Sequence, residues 1–311
     1  MKKHLTFGAL ALVTGWTALA GPLQRQHLAA DTQWVLHFDT EAFLKTHLGD
    51  TMAREQIDPK MTKARADLKA WFDFDLDWRR ISGVTIYGTD YTSPESQRGV
   101  VVVYTDMDFA QGLDGAIGKL EAAGAAEAGS VKHLGEGLYE VKEAVVATEP
   151  GFGLVLGKSK DKVLQAREVI HGRSPNLQAG PAFSQFPAAA GGFFFLGAAE
   201  GFSLNASLPP QANVLKMADG LQLTLGESGP NLVANLGLLA RDAQVSQQIQ
   251  QVVQGLIALV SLSQTENPEA QQLARGLQVR QAERLVSIEL ALPLEQVFRK
   301  IAEKTSSQSA P

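Results

Sequence analysis

Five times along the chain, alternating apolar and polar residues give way within a few positions to apolar residues three and four apart. WVLHFDTEAFLKTHL changes period at Asp39-Thr40-Glu41, VVVVYTDMDFAQGLDGAIGKL at Asp106 and Asp108, and GLVLGKSKDKVLQAREVI at Ser159. NLGLLARDAQVSQQIQQVVQGL changes at Asp242, and VSIELALPLEQVFRKI at Pro293. Such a switch predicts a strand running into an amphipathic helix. Asp or Ser at the boundary accepts hydrogen bonds from the free N–H groups of the first helical turn, and Pro there leaves no N–H unpaired. Asp39, Asp106 and Asp242 are therefore expected to act as helix caps.

The order of elements repeats. The pattern predicts strand 34–39, a long helical region broken near Asp58-Pro59, and strands 83–88 and 99–105. Helix 108–123, strands 137–143 and 152–157, and helix 160–171 follow. A second series gives strand 192–197, an irregular link through Pro209-Pro210, and strands 220–226 and 231–240. It continues with helix 243–260, a helical segment from Pro268 to Arg275, strands 277–282 and 285–292, and helix 294–304. Each series reduces to β-(α)-β-β-α-β-β-α, so the expectation is an α+β fold of two tandem copies. A Pro-, Gly- and Ala-rich stretch at 174–192 separates them, which divides the chain at 21–180 and 181–304 and leaves 305–311 as a disordered tail.

Alternation also predicts packing. Val286, Ile288, Leu290 and Leu292 share one strand face, and Leu221, Leu223 and Leu225 share another. One-sided burial under helices belongs to an antiparallel sheet. Residues 100–103 are all Val and predict a central strand covered on both faces. Val245 to Val260 carries a broad apolar stripe suited to lying on a sheet.

The ends and the charge narrow the setting. Lys2 and Lys3, an apolar run from Leu5 to Val13 and Ala18-Leu19-Ala20 form the pattern of a secretory signal peptide, residues 1–20, cut before Gly21. Losing the two lysines takes the formal charge from −5 to −7. That acidic balance argues against a nucleic-acid partner and against docking on anionic lipid. With no Cys there is neither a disulfide nor a thiolate metal site. No later apolar run approaches the length of a membrane span. The expectation is a soluble, secreted or periplasmic protein.

One stretch invites chemistry. In WFDFDLDW, Asp73, Asp75 and Asp77 alternate with Phe72, Phe74 and Leu76, so an extended segment would align the three carboxylates. Calcium is the cation such a row would take. However, Trp78 stands where a calcium loop needs glycine and Val84 where it needs glutamate. Arg79 and Arg80 follow and could neutralise the acids, so a structural junction is the favoured reading, with Asp73, Asp75 and Asp77 as candidate metal ligands. No other cofactor is indicated.

Ser159-Lys160-Asp161-Lys162 matches the Ser-x-x-Lys motif of penicillin-interacting enzymes but lacks its partner motifs. Gly151-Phe152-Gly153 with Gly157 is one residue too long for a dinucleotide fingerprint. His27, His37, His47, His133 and His171 read as isolated, partly exposed side chains, and Phe193-Phe194-Phe195 as a buried strand.

ADTQWVLHFDTEAFLKTHLG, FDFDLDWRRISGVTIYG and LARGLQVRQAERLVSIELALP resemble secreted or periplasmic bacterial proteins of planctomycete and verrucomicrobial type. The shared features are the signal peptide, the strand-Asp-helix entry, and a Phe-x-Asp segment before a strand ending in Tyr-Gly. The resemblance implies a structural role for the aspartates, and no activity or cofactor. Three functions stay open. They are a non-catalytic binding or assembly protein with a cleft between its copies, a carrier of an apolar ligand such as lipid, and a metal-dependent or serine hydrolase. The expected partner is a protein or an apolar ligand.

Overall fold

In the computed structural model, residues 23–308 are described, apart from 73, 92–98, 123–130, 180–182, 185, 187–191, 202–215, 264–272 and 275. The expected signal peptide, the Pro209-Pro210 link and most of the segment from Pro268 to Arg275 lie outside these residues. The first copy supplies β1 (Trp34–Asp39), β2 (Ile81–Gly88), β3 (Val100–Thr105), β4 (Val131–Gly135), β5 (Leu138–Val141), β6 (Ala144–Glu149) and β7 (Gly153–Gly157). Its helices are α1 (Thr40–Leu44), α2 (His47–Met52), α3 (Asp58–Phe72), α4 (Phe109–Ala122) and α5 (Lys160–Ile170). The second supplies β8 (Phe193–Glu200), β9 (Ala218–Ser228), β10 (Asn231–Ala240), β11 (Leu277–Ala282) and β12 (Leu285–Pro293), with α6 (Ala243–Ser263) and α7 (Leu294–Gln308).

These strands form one antiparallel sheet in the order β11-β12-β10-β9-β8-β1-β2-β3-β7-β6-β5-β4. The copies meet where β1 pairs antiparallel with β8. Outward from that seam the order is β1-β2-β3-β7-β6 on one side and β8-β9-β10-β12-β11 on the other. Corresponding strands therefore occupy corresponding places, with α4 and α6 each following the third strand of its copy. The first copy carries an addition. Where one strand at 137–143 was expected, residues 131–149 form a three-stranded meander. Positive φ at Gly135, Glu136, Gly137 and Lys142 makes its turns. β4 escaped the apolar pattern because it is a sheet edge, and its middle residues Lys132, His133 and Leu134 face water.

Cross-strand register defines the two faces. One row runs Ile288, Leu236, Leu223, Gly197, Leu36, Ile86, Val101, Leu156, Val146 across nine strands. On this face α4 covers Val103, Val146 and Leu154 with Phe109, Leu113 and Ile117. Ile249 and Val253 of α6 cover Leu221, Leu238 and Val286, so the α6 stripe finds an apolar sheet. Phe43, Leu48 and Phe298 of α1, α2 and α7 close over Phe38, Leu225 and Leu232. The opposite face carries α5, whose Val163, Ala166 and Val169 pack on Val35, Tyr87, Val102 and Val155. The packing sites of α4, of α6 and of α1 with α2 and α7 thus share one face, as expected, and α5 departs from it by taking the other. It can take the other face because Leu154, Val155 and Leu156 make β7 apolar on both sides. β3, between β2 and β7, has α5 over one face and α4 over the other, as its Val run predicts.

The helix boundaries follow local chemistry. Asp39 accepts from Ala42 N at 2.8 Å, Asp242 from Val245 N at 2.8 Å, and Ser159 caps α5 through Lys162 N. Asp106 corrects the pattern: Asp108 accepts from Gln111 N, while Asp106 is paired with Arg80. Asp39→Ala or Asp242→Ala should each cost about 0.5–2 kcal/mol in urea unfolding. Asp106→Ala should cost less, since an exposed ion pair contributes about 0–1 kcal/mol. The break near Asp58 is a π-turn, Ala53–Ile57, leading into α3 with Pro59 in its first turn. α7 continues to Gln308, past the start of the expected tail, and residues 309–311 lie outside the description.

Candidate functional site

The acidic segment lies between α3 and β2, where the chain turns back toward the sheet. Asp73 and the side chain of Phe72 are outside the described part. Phe74 packs on Phe109 of α4, ring centroids 4.9 Å apart, and closely over Gly112. Asp75 accepts two hydrogen bonds from Arg65, at 2.5 and 2.9 Å, and the same guanidinium lies 3.7 Å from Asp77. Asp77 also receives Arg79 N as it starts the turn Trp78–Arg80. The cation beside the acids is thus Arg65, from the middle of α3. Arg79 and Arg80 turn instead to Asp58 and Asp106. Hydrogen bonds from these arginines, first among the causes, hold Asp75, Asp58 and Asp106 below the usual carboxylate range. Trp78 Nε1 donates to Asp58 at 3.0 Å, and Arg79 lies 5.3 Å from the Trp78 ring centroid.

A groove of about 260 Å3 runs beneath these pairs, between Met61 and Arg65 of α3 and Leu76 and Trp78. A cation bound by Asp75 and Asp77 would have to displace Arg65. Calcium is therefore expected to leave the melting temperature unchanged. A shift of about 2.7 kcal/mol at a hundredfold excess over the dissociation constant, abolished by Asp75→Asn, would instead reveal a site.

The larger open cleft, about 390 Å3, lies where the copies meet. Asp39, Glu41, Ala42, Lys45 and Thr46 line it from the first copy, and Gly192 and Glu227 from the second. Glu227 projects from β9 and accepts the backbone N–H groups of His47 and Leu48, each at 2.9 Å. Thr46 takes the next donor, Gly49 N. A carboxylate of one copy thus completes a helix start in the other, satisfying donors that no intrahelical acceptor reaches. Asp39 is likewise occupied as a cap, and Glu41 pairs loosely with Lys45 at 3.9 Å. Beside α1 the central row stays open: Leu36, on the middle strand, is 43 % exposed.

The sequence did not single out a buried ionic cluster. Glu149, its side chain only 3 % exposed, accepts from Arg167 Nε and, at 2.9 Å, interacts with His171 Nε2. All three lie around α5, where the helix returns over β6. Two histidines also depart from the expected exposure. His37 is 5 % exposed and hydrogen-bonded to Thr85 at 2.8 Å, and His27 is 7 % exposed against Tyr104 and Phe152. The others remain exposed, with His47 against Phe298 and His133 stacked on Tyr139. Among the described residues no group of three or more His, Asp or Glu is placed to hold a metal ion. No described helix is long and apolar enough to cross a membrane.

No family model and no curated protein matches this chain. Among solved structures, crystal form III of TP0453, a Treponema protein, resembles it with a TM-score of 0.46 at 11 % identity. The likeness covers 91 % of this chain and 99 % of that one. Crystal form I of TP0453 resembles it with a TM-score of 0.44 at 12 % identity, over 91 % and 98 % of the two chains. Likenesses this distant transfer no activity.

Proposed function

We propose that the protein is an exported, non-catalytic binding or assembly protein that receives its partner at the seam between the two copies. The observation that carries this reading is the cleft of about 390 Å3 lined from both copies. Junctions between structural units are favoured places for ligand sites. The lining acids Asp39 and Glu227 are committed to backbone N–H groups, which suits a scaffold better than a proton-transfer site. Lys45 and Glu41 remain at the rim to orient a polar group, and exposed Leu36 offers apolar contact on the same sheet. The signal-peptide pattern and the resemblance to secreted bacterial proteins favour the export of this protein.

The carrier reading, with an apolar ligand beneath α6, loses support because the α6 stripe is already packed on sheet residues. The serine-hydrolase reading loses support because the Ser159 hydroxyl serves as the α5 cap. A photo-crosslinking residue at position 41 tests the proposal against one at position 63, on the outer side of α3. The expected result is a saturable adduct at 41, absent at 63 and lost with Lys45→Glu. Equal adducts at both positions would overturn the reading. Ester or lactam hydrolysis lost with Ser159→Ala would replace it with the enzyme class.

A further inference from the structure

We infer that residues 23–33 form an acid-released strap, held on the sheet by a buried histidine, His27, that gains a charge when the surroundings acidify. The strap runs from Leu23 across α5 to β1. Its attachments are mostly to backbone: Ala30 N to Pro175 O at 3.2 Å, Leu177 N to Leu28 O at 2.9 Å and Gln33 N to Gly88 O at 2.9 Å, while Gln33 O accepts from Glu200 N at 2.9 Å and from the Tyr91 hydroxyl at 2.7 Å. Arg25 adds a side-chain bond to Leu177 O at 3.4 Å, and Ala29 forms an isolated bridge with Asn176. Leu28 of the strap and Leu177 beside it are fully buried. The strap therefore links the start of the mature chain to the stretch that joins the copies.

His27 sits in the short turn Arg25–His27, and its Nδ1 is buried without a hydrogen-bond partner. Its ring is edge-on to Phe152 at 5.0 Å and tilted against Tyr104 at 5.8 Å. Burial raises the pKa of the Tyr104 hydroxyl to about 12 against the lowering effect of its Thr85 neighbour, so it stays neutral. The charged groups on the packing elements offer no relief. Arg25 on the strap is itself a cation, and Lys160, Lys162 and Arg167 of α5 are too. Glu149 is taken by Arg167 and His171, and Glu168 by Arg173. Asp31 and Asp161 lie at the two ends of this region, on the strap and in the first turn of α5. Leu177–Ala179 brings no charge.

Burial lowers the pKa of His27 to about 4, against an ordinary 6.5 when the strap is free. The native value is the depressed one, so the strap is held fully above pH 6.5 and loses hold as pH falls toward 4. At pH 5 the opening equilibrium should rise about thirtyfold over its value at pH 7.5. Opening would uncover Tyr104, Phe152 and Leu177, an apolar surface absent at neutral pH.

Amide hydrogen exchange on the full chain at pH 7.5 and 5.0, corrected for intrinsic rates, tests this directly. Protection at Ala30 and Leu177 should drop about thirtyfold in the wild type while β3 amides keep theirs. His27→Phe, which fills the pocket and cannot charge, should keep strap protection at pH 5, and His27→Gln serves if that variant does not fold. Unchanged protection in the wild type, or an equal loss in the uncharged variant, would overturn the latch. So would an NMR titration placing His27 near 6.5 with the strap still protected.

Discussion

Glu149→Gln should lower the unfolding free energy by about 3 kcal/mol, read from the urea midpoint at constant slope. The carboxylate is nearly fully buried and binds the Arg167 guanidinium and the His171 ring, so neutralising it strands Arg167 in the shelter of α5. Removing one partner of a buried pair costs about 3–5 kcal/mol, because the remaining charge keeps its desolvation penalty. The lower end applies here because Arg167 and His171 retain some access to water. Adding Arg167→Met should then recover about 1–2 kcal/mol, since an apolar side chain of similar length removes the stranded charge. A loss below about 0.5 kcal/mol for the single substitution would place the cluster among ordinary surface ion pairs.

Gly153→Ala should be more damaging, costing about 4 kcal/mol or preventing folding altogether. Gly153 begins β7 with φ at +135°, a conformation open to glycine and strained for other residues. An added Cβ would lie 2.0 Å from the Val103 carbonyl oxygen of the neighbouring strand. Relief would require parting β3 from β7, near the centre of the sheet. Gly151 supplies the control. Its φ is +73°, but nothing lies within 4 Å of the added carbon, so Gly151→Ala should cost about 1–2 kcal/mol from backbone strain alone. Comparing the two melting curves separates backbone strain from the clash.

The features legible in the sequence are those whose physics is local. Asp39, Ser159 and Asp242 were readable as caps because the cap and the N–H it binds lie three residues apart. Asp106 was misread because its partner, Arg80, lies 26 residues away across a strand pair. Asp75 shows the same limit, since Arg65 reaches it only after α3 has turned the chain back. Alternation told which residues of β12 face together, and Val286 and Ile288 of that group lie together under α6. It could not tell which side α5 would choose, because β7 is apolar on both. Glu149 ends β6 directly before Pro150, and nothing nearby in the sequence announces that a later helix would bury it. The inter-copy cleft depends on Glu227 meeting α2 across some 180 residues, which no local pattern encodes.

The seam between β1 and β8 has a consequence for how this chain solves an old problem of sheet proteins. Each copy's first strand is an edge, with backbone donors and acceptors that must be paired or shielded. Many proteins close such an edge by two-fold association of identical subunits, at the cost of depending on concentration. Here the two edges belong to one chain and run antiparallel, as in a symmetric dimer. The linker keeps them at an effective concentration that dilution does not change. The molecule is in this sense a dimer made in cis. Freed from the need to be identical, one half could add the β4–β5 hairpin and place α5 on the far face while the other placed α7 on the near one.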